Sequence, residues 1–197
     1  KISLIQNKAL ELSMFLSIPA SVALVIGSEQ IISALFGYGS FTENSVLNSS
    51  NALYFFGLGL PAFAFIKVFS TFFFANHDTK TPFYISLVSV LLNILISVYF
   101  FKDIGFIIIP IATTISSWFN SLLLFIYLKN SNLFEFNKTF FKQCVKIIFT
   151  SIMMGFFFKY LILFFQNELS YDYFFKSVYL LLCVLLTIIF YSALSYF

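Results

Sequence analysis

Apolar residues along this chain fall into six long blocks separated by short polar stretches. A helix needs about 20 apolar residues to cross the hydrocarbon core of a bilayer. The blocks run from about Ala9 to Ile26, Asn51 to Ala75, Pro82 to Phe101, Gly105 to Tyr127, Cys144 to Phe165 and Phe174 to Phe197. None alternates with period two, which argues against a transmembrane β-barrel. With no water in the core, each segment must satisfy its own backbone N–H and C=O groups, so each is predicted to be helical. The pattern predicts an all-α polytopic membrane protein with six transmembrane helices.

Six crossings place both ends of the chain on one side, and the lysines orient it. Lys1, Lys8, Lys80, Lys129, Lys138, Lys142 and Lys146 sit at the start or in the second and fourth connections. The other side has Lys102 and Lys176, with Lys159 nearby, and a first connection (27–50) that carries Glu29 and Glu43 but no lysine. Both termini are therefore expected in the cytoplasm.

The connections differ in kind. Phe101-Lys102-Asp103-Ile104 predicts a tight turn, which makes spans three and four an antiparallel hairpin. The first connection contains EQIISALF, expected as a short interfacial helix, and then GYGSFT. The fourth, KNSNLFEFNKTFFKQ (129–143), reads as a cytoplasmic boundary between a four-helix unit (1–128) and a terminal helix pair (144–197).

Composition narrows the function classes. Of 197 residues, 60% are hydrophobic and only 10% charged, with mean hydropathy +0.97, against about 25% charged in soluble domains. A soluble enzyme, a disordered chain and a nucleic-acid binder are excluded. All 11 basic residues are lysines, so the side chain best suited to bidentate phosphate binding is missing. Cys144 and Cys183 lie in apolar runs with no metal-ligand spacing and read as reduced thiols. The chain begins at Lys1 rather than Met, and we read it as a piece that starts within a longer protein, whose preceding helices would be its first partners.

Few residues could carry chemistry. Lys67 lies eight residues before the end of the second span, about 12 Å deep at 1.5 Å per residue. It is either an anchor that snorkels to the headgroups or a substrate-binding charge that faces a cavity. Pro61, with Gly57 and Gly59, makes this span a candidate bent helix. In the hairpin, Asn93 and Ser97 share a helix face, and Thr113 lies at similar depth on the next span, followed by Thr114, Ser116, Ser117 and Asn120. Two readings stand: interhelical hydrogen bonding, or an oxygen-lined site for a hard cation such as Na+, without a carboxylate because position 97 is Ser. The NHDTKTP loop ends in a proline suited to a first helical turn, with Asp78 or Thr79 as cap. FGYGSFT reads as a glycine-permitted interfacial turn. No nucleophile–base pair, metal-ligand cluster or cofactor motif is visible, and an enzyme is not expected.

The ordered loops carry a family resemblance. The F-x-Y-G-x-F-T turn (Phe36, Tyr38, Gly39, Phe41, Thr42), Lys67 in the following span and the D-x-K-T-P loop (Asp78, Lys80, Thr81, Pro82) resemble the MurJ (MviN) family of bacterial lipid II flippases, within the multidrug/oligosaccharidyl-lipid/polysaccharide exporter superfamily. The resemblance covers essentially the whole chain. It implies the last six of fourteen helices, the final two forming a groove for a lipid tail. It implies alternating-access transport of undecaprenyl-pyrophosphate-linked peptidoglycan precursor across the inner membrane, with membrane lipid and the preceding helices as partners. Some relatives use sodium through an Asn, an acid four residues later and a Thr on the next span; Asn93 and Thr113 match and Ser97 does not. No cofactor is expected, and coupling to sodium or to the membrane potential stays open. Two other functions stay open: export of other lipid-linked sugars, and a non-transporting scaffold for cell-wall enzymes.

Overall fold

The structure, a computed structural model, describes residues 2–131, 134–135 and 137–196, without the side chains of residues 2 and 138. Lys1, the Lys138 side chain and Phe197, used above, lie outside the described residues.

Six α-helices follow one another: α1 (Ile2–Phe36), α2 (Glu43–Ala75), α3 (Lys80–Ile104), α4 (Ile108–Asn130), α5 (Lys138–Phe164) and α6 (Lys176–Tyr196). By length and hydropathy alone, Lys80–Asn130 is one apolar stretch of 51 residues. A 3-10 turn at Gly105–Ile107, entered through Gly105 at φ 76°, divides it into the expected hairpin. All six helices are apolar around most of their circumference, as lipid-facing helices are.

One expectation fails locally. EQIISALF is not a separate interfacial helix but the last two turns of α1, so the first connection shrinks from 27–50 to 37–42. Gly27 does not break the helix because it serves packing: a Cβ there would stand 2.6 Å from the Phe158 ring of α5. At 35 residues, α1 is about 52 Å long and exceeds a hydrocarbon core of about 30 Å.

The central helix is α1, which packs on α2, α5 and α6; α4 packs on α2 and carries α3 on its far side. Two buried clusters hold the ends. The first joins Leu10, Met14, Phe73, Leu124, Leu128 and Ile147 with Phe140 of α5 and Phe134 of the fourth connection, which shrinks from the expected 129–143 to 131–137 because α4 and α5 extend into it. The rings of Phe134 and Phe72 stack at 5.9 Å. Asn7 ties the same connection down: its Nδ2 donates to Glu135 O at 2.8 Å and its Oδ1 accepts from Asn137 N at 3.3 Å. The second cluster gathers Ala34, Phe158, Leu161, Leu180 and Cys183 where α1 meets α5 and α6.

Prolines leave a signature in this packing. A proline inside a helix has no N–H for the carbonyl four residues earlier. Pro61 in α2 thus frees Gly57 O, which accepts from Ser21 Oγ of α1 at 2.7 Å. Pro19 in α1 frees Phe15 O, which accepts from Tyr191 Oη of α6 at 3.0 Å. At Gly57 the absent side chain permits the approach, since a Cβ would meet Leu24 Cβ at 3.0 Å. Nearby, Phe55 O and Leu58 O accept additional bonds from Thr114 Oγ1 (2.7 Å) and Trp118 Nε1 (3.1 Å) of α4. The second span is therefore bound to both its neighbours through its own backbone.

Candidate functional site

The F-x-Y-G-x-F-T residues form the turn between α1 and α2. Gly39 takes φ 61°, and Gly37 N donates back to Ser33 O at 2.9 Å as α1 closes. Thr42 caps α2, its Oγ1 accepting from Ser45 N at 3.3 Å. Phe36 and Phe41 place their rings 6.3 Å apart. Tyr38 reaches out to α6, where its hydroxyl shares a 2.7 Å hydrogen bond with Ser177 Oγ.

The anchor of this turn is Lys176, which is only 1% exposed. Its ammonium donates to Gly37 O and Tyr171 O, both at 2.6 Å, and lies 4.4 Å and 4.6 Å from the ring centroids of Tyr38 and Tyr171. Tyr171 Oη in turn donates to Phe41 O at 2.6 Å, and Ser177 Oγ to Ala34 O at 2.6 Å. Two carbonyls and two aromatic faces thus replace the carboxylate that a buried ammonium would ordinarily need. Sequence reasoning used Lys176 only as an orientation charge. Its partner Gly37 lies 139 residues away, and no local signal links them.

The D-x-K-T-P residues cap α3. Asp78 Oδ1 accepts from Lys80 N at 3.1 Å and Thr81 N at 3.0 Å, whereas Thr79 at the cap position makes no side-chain cap bond. Hydrogen bonds from the Thr81 side chain and backbone, then from Lys80, hold the Asp78 carboxyl below the usual carboxylate range. Pro82 is the third residue of α3, in the turn where an absent N–H costs nothing. His77, at φ 60°, completes the turn.

Lys67 lies on the exposed side of α2, in line with Phe63, Thr71 and Phe74. No hydrogen bond joins it to the Asn93 group among the described residues. That group does assemble across the hairpin. Asn93 Nδ2 donates to Thr113 Oγ1 (3.1 Å) and Ser116 Oγ (3.2 Å), and Ser97 Oγ donates to Asn93 Oδ1 at 3.5 Å. The Thr113 and Ser116 hydroxyl protons go to Ile109 O and Thr113 O. In this arrangement the oxygens already hold hydrogens, no carboxylate takes part, and the amide nitrogen is the group turned toward α4. A hard cation prefers oxygen ligands and charge, whereas here the amide Nδ2 rather than Oδ1 faces Thr113 and Ser116. No cluster of three or more His, Cys, Asp or Glu suited to a metal occurs among the described residues.

Two cavities adjoin along α1. One, about 590 Å³, is apolar and lies between α1, α5 and α6, lined by Leu16, Ala20, Leu24, Phe158, Val184 and Ile188 among others. The other, about 460 Å³, opens at the lysine-rich end and is lined by Lys8, Glu11, Gln143, Lys146 and Thr150. Phe15 lines both. Together they offer an oily trough with a charged mouth.

Comparisons with known proteins place this arrangement. The chain is 39% identical over 121 residues to a probable lipid II flippase MurJ of Rhizobium meliloti (strain 1021), covering 61% of this chain and 23% of that protein. It is 32% identical over 151 residues to the corresponding Rickettsia prowazekii (strain Madrid E) protein, covering 77% of this chain and 30% of that one. A solved structure described as lipid II flippase MurJ in an inward closed conformation matches 98% of this chain and 39% of its own, with TM-score 0.75 and 27% identity. The chain thus spans less than a third of the length of these two curated relatives. The family model for lipid II flippase MurJ matches residues 1–181. With the motif turns, the hairpin and six apolar helices in the order described, this multi-pass membrane chain belongs to the MurJ lipid II flippase family.

Proposed function

We propose that this chain forms the C-terminal part of a carrier that moves an undecaprenyl-pyrophosphate-linked peptidoglycan precursor across the bacterial inner membrane by alternating access. Family membership over residues 1–181 carries the reading. In it, residues 1–128 belong to the second transporter lobe and residues 144–197 form the pair that receives the lipid tail. The apolar cavity of about 590 Å³ between α1, α5 and α6 supports that role, because its walls are hydrocarbon over most of their length. The lysine-rich end faces the cytoplasm, following the distribution of Lys8, Lys80, Lys129, Lys142 and Lys146. Lys67 contacts the substrate from the exposed side of α2, where an ammonium within a membrane span needs an anionic partner or a wet cavity.

The test is complementation of a flippase-depleted bacterium by the full-length protein. Restored peptidoglycan synthesis is expected with the wild type. Lys67→Ala should reach the membrane in normal amount and lower transport at least about tenfold, the scale of one charge-assisted contact. Failure of the wild type to restore synthesis would overturn the reading. Selective transport of a different lipid-linked sugar, or capture of cell-wall enzymes without any translocation, would do so too.

A further inference from the structure

The terminal pair α5–α6 is fastened to α1 at three levels. At the lysine-rich end, Tyr191 Oη of α6 donates to Phe15 O of α1 at 3.0 Å, and the two rings lie 5.1 Å apart. Asn7 of α1 holds the chain entering α5 through Glu135 O and Asn137 N. Midway, α1 and α5 approach through a glycine on each side. A Cβ at Gly27 would stand 2.6 Å from the Phe158 ring, and one at Gly155 would stand 2.6 Å from Val22 Cγ1 and 2.9 Å from Ile26 Cδ1. At the opposite end, three side chains of α6 and the α5–α6 connection each donate to a carbonyl of α1 or of the turn after it. Ser177 bonds Ala34 O, Lys176 bonds Gly37 O and Tyr171 bonds Phe41 O, all at 2.6 Å.

We propose that α1, α5 and α6 move as one rigid body, so that the apolar trough between them keeps its shape while the carrier changes conformation. Sliding α5 along α1 would bring a side chain larger than glycine to each close approach, which a packed interface resists. Parting the helices would leave carbonyls and the buried Lys176 ammonium without partners. The fastening runs the length of α1, from Asn7 to the turn at Phe41. The trough is then a fixed rail for a lipid chain, and opening and closing fall to other helices. This consequence for transport rests on the alternating-access reading; the rigid body itself is measurable without transport.

Two measurements on the full-length protein test it. The first places Ala34→Cys with Ser177→Cys, in a background carrying Cys144→Ala and Cys183→Ala, and joins the new pair by oxidation or a short bis-methanethiosulfonate. The joined carrier should transport as fast as its reduced form. Transport that stops on joining and returns on reduction would overturn the proposal, and so would a pair that cannot be joined. The second places spin labels at Leu12 on α1 and Val178 on α6, both exposed. They should give one narrow distance, about 30 Å from the helix rise, that is the same with and without undecaprenyl pyrophosphate. The distance from Leu12 to a label in the first lobe should shift. A broad or shifting distance between Leu12 and Val178 would overturn the rigid body whatever the carrier transports. A first-lobe distance that never shifts would count instead against alternating access.

Discussion

The Tyr191 hydroxyl on α6 donates to the Phe15 carbonyl on α1 at 3.0 Å, and Phe15 is the residue whose intrahelical donor Pro19 removes. The defect created by one helix is thus repaired by another. This makes a quantitative statement possible about how the terminal helix pair is held. Tyr191→Phe should lower stability by about 1 kcal/mol, in the range measured for hydrogen bonds between membrane helices. In a Pro19→Ala background the carbonyl regains its own helical donor, so the same substitution should cost about half as much or less. A double-mutant cycle of melting temperatures checks this; equal costs in both backgrounds would mean that the bond to Phe15 O does not compensate for Pro19.

Lys176 should be the most costly single residue at the opposite end. Lys176→Met keeps the apolar stem but leaves Gly37 O and Tyr171 O without their donor. The expected loss is about 2–3 kcal/mol, the range for hydrogen bonds to a charged group and for stranded polar atoms. The turn around Tyr38 should also loosen. Limited proteolysis between Gly37 and Thr42, slow in the wild type and fast in the variant, reads this directly.

The Asn93 group should behave as interhelical glue. Asn93→Ala removes the bonds to Thr113 and Ser116 and should cost about 1 kcal/mol. Wild-type melting should be equal in sodium and potassium chloride, because the group's oxygens already accept hydrogens from one another and from the amide. A sodium-specific rise in melting temperature that Asn93→Ala abolishes would show the opposite, with the amide oxygen turned inward as a ligand.

Asp78 gives a pH dependence outside the membrane. Its folded carboxyl is held below the usual range by Thr81 and Lys80. Its contribution to stability is therefore present above the unfolded value of about 3.9 and is lost as pH falls from there through the folded value. Hydrogen exchange at the Lys80 and Thr81 amides, after correction for intrinsic rates, should accelerate over this window in the wild type. In Asp78→Asn, which keeps an acceptor but no titrating group, the profile should be flat.

Several features were legible because they are local. The hairpin follows from two apolar runs around Gly105, and the equal depth of Asn93 and Thr113 follows from counting 1.5 Å per residue from that turn; the 3.1 Å bond between them agrees. Asp78 as a cap follows from its distance of two and three residues to the amides that it accepts from. EQIISALF was misread as separate because the apolar run pauses at Gly27-Ser28-Glu29-Gln30, whereas α1 continues through it and Gly27 lets Phe158 of another helix approach. Pro61 marked the second span as a candidate bent helix, but nothing near it in the sequence pointed to Ser21 as the partner of the Gly57 carbonyl.

The sequence by itself determined that this chain is six apolar helices and that the third and fourth form a hairpin at Gly105, since hydrophobic length and backbone satisfaction are properties of each segment alone. Only the tertiary structure decided which helix repairs which proline, that Lys176 is buried against the α1–α2 turn, and that Gly27 and Gly155 bring α1 and α5 together. The physical reason is that lipid rewards any apolar face equally. Hydrophobic pattern cannot choose partners among such helices, and the choice falls to close packing and to scattered hydrogen bonds between residues up to 176 positions apart.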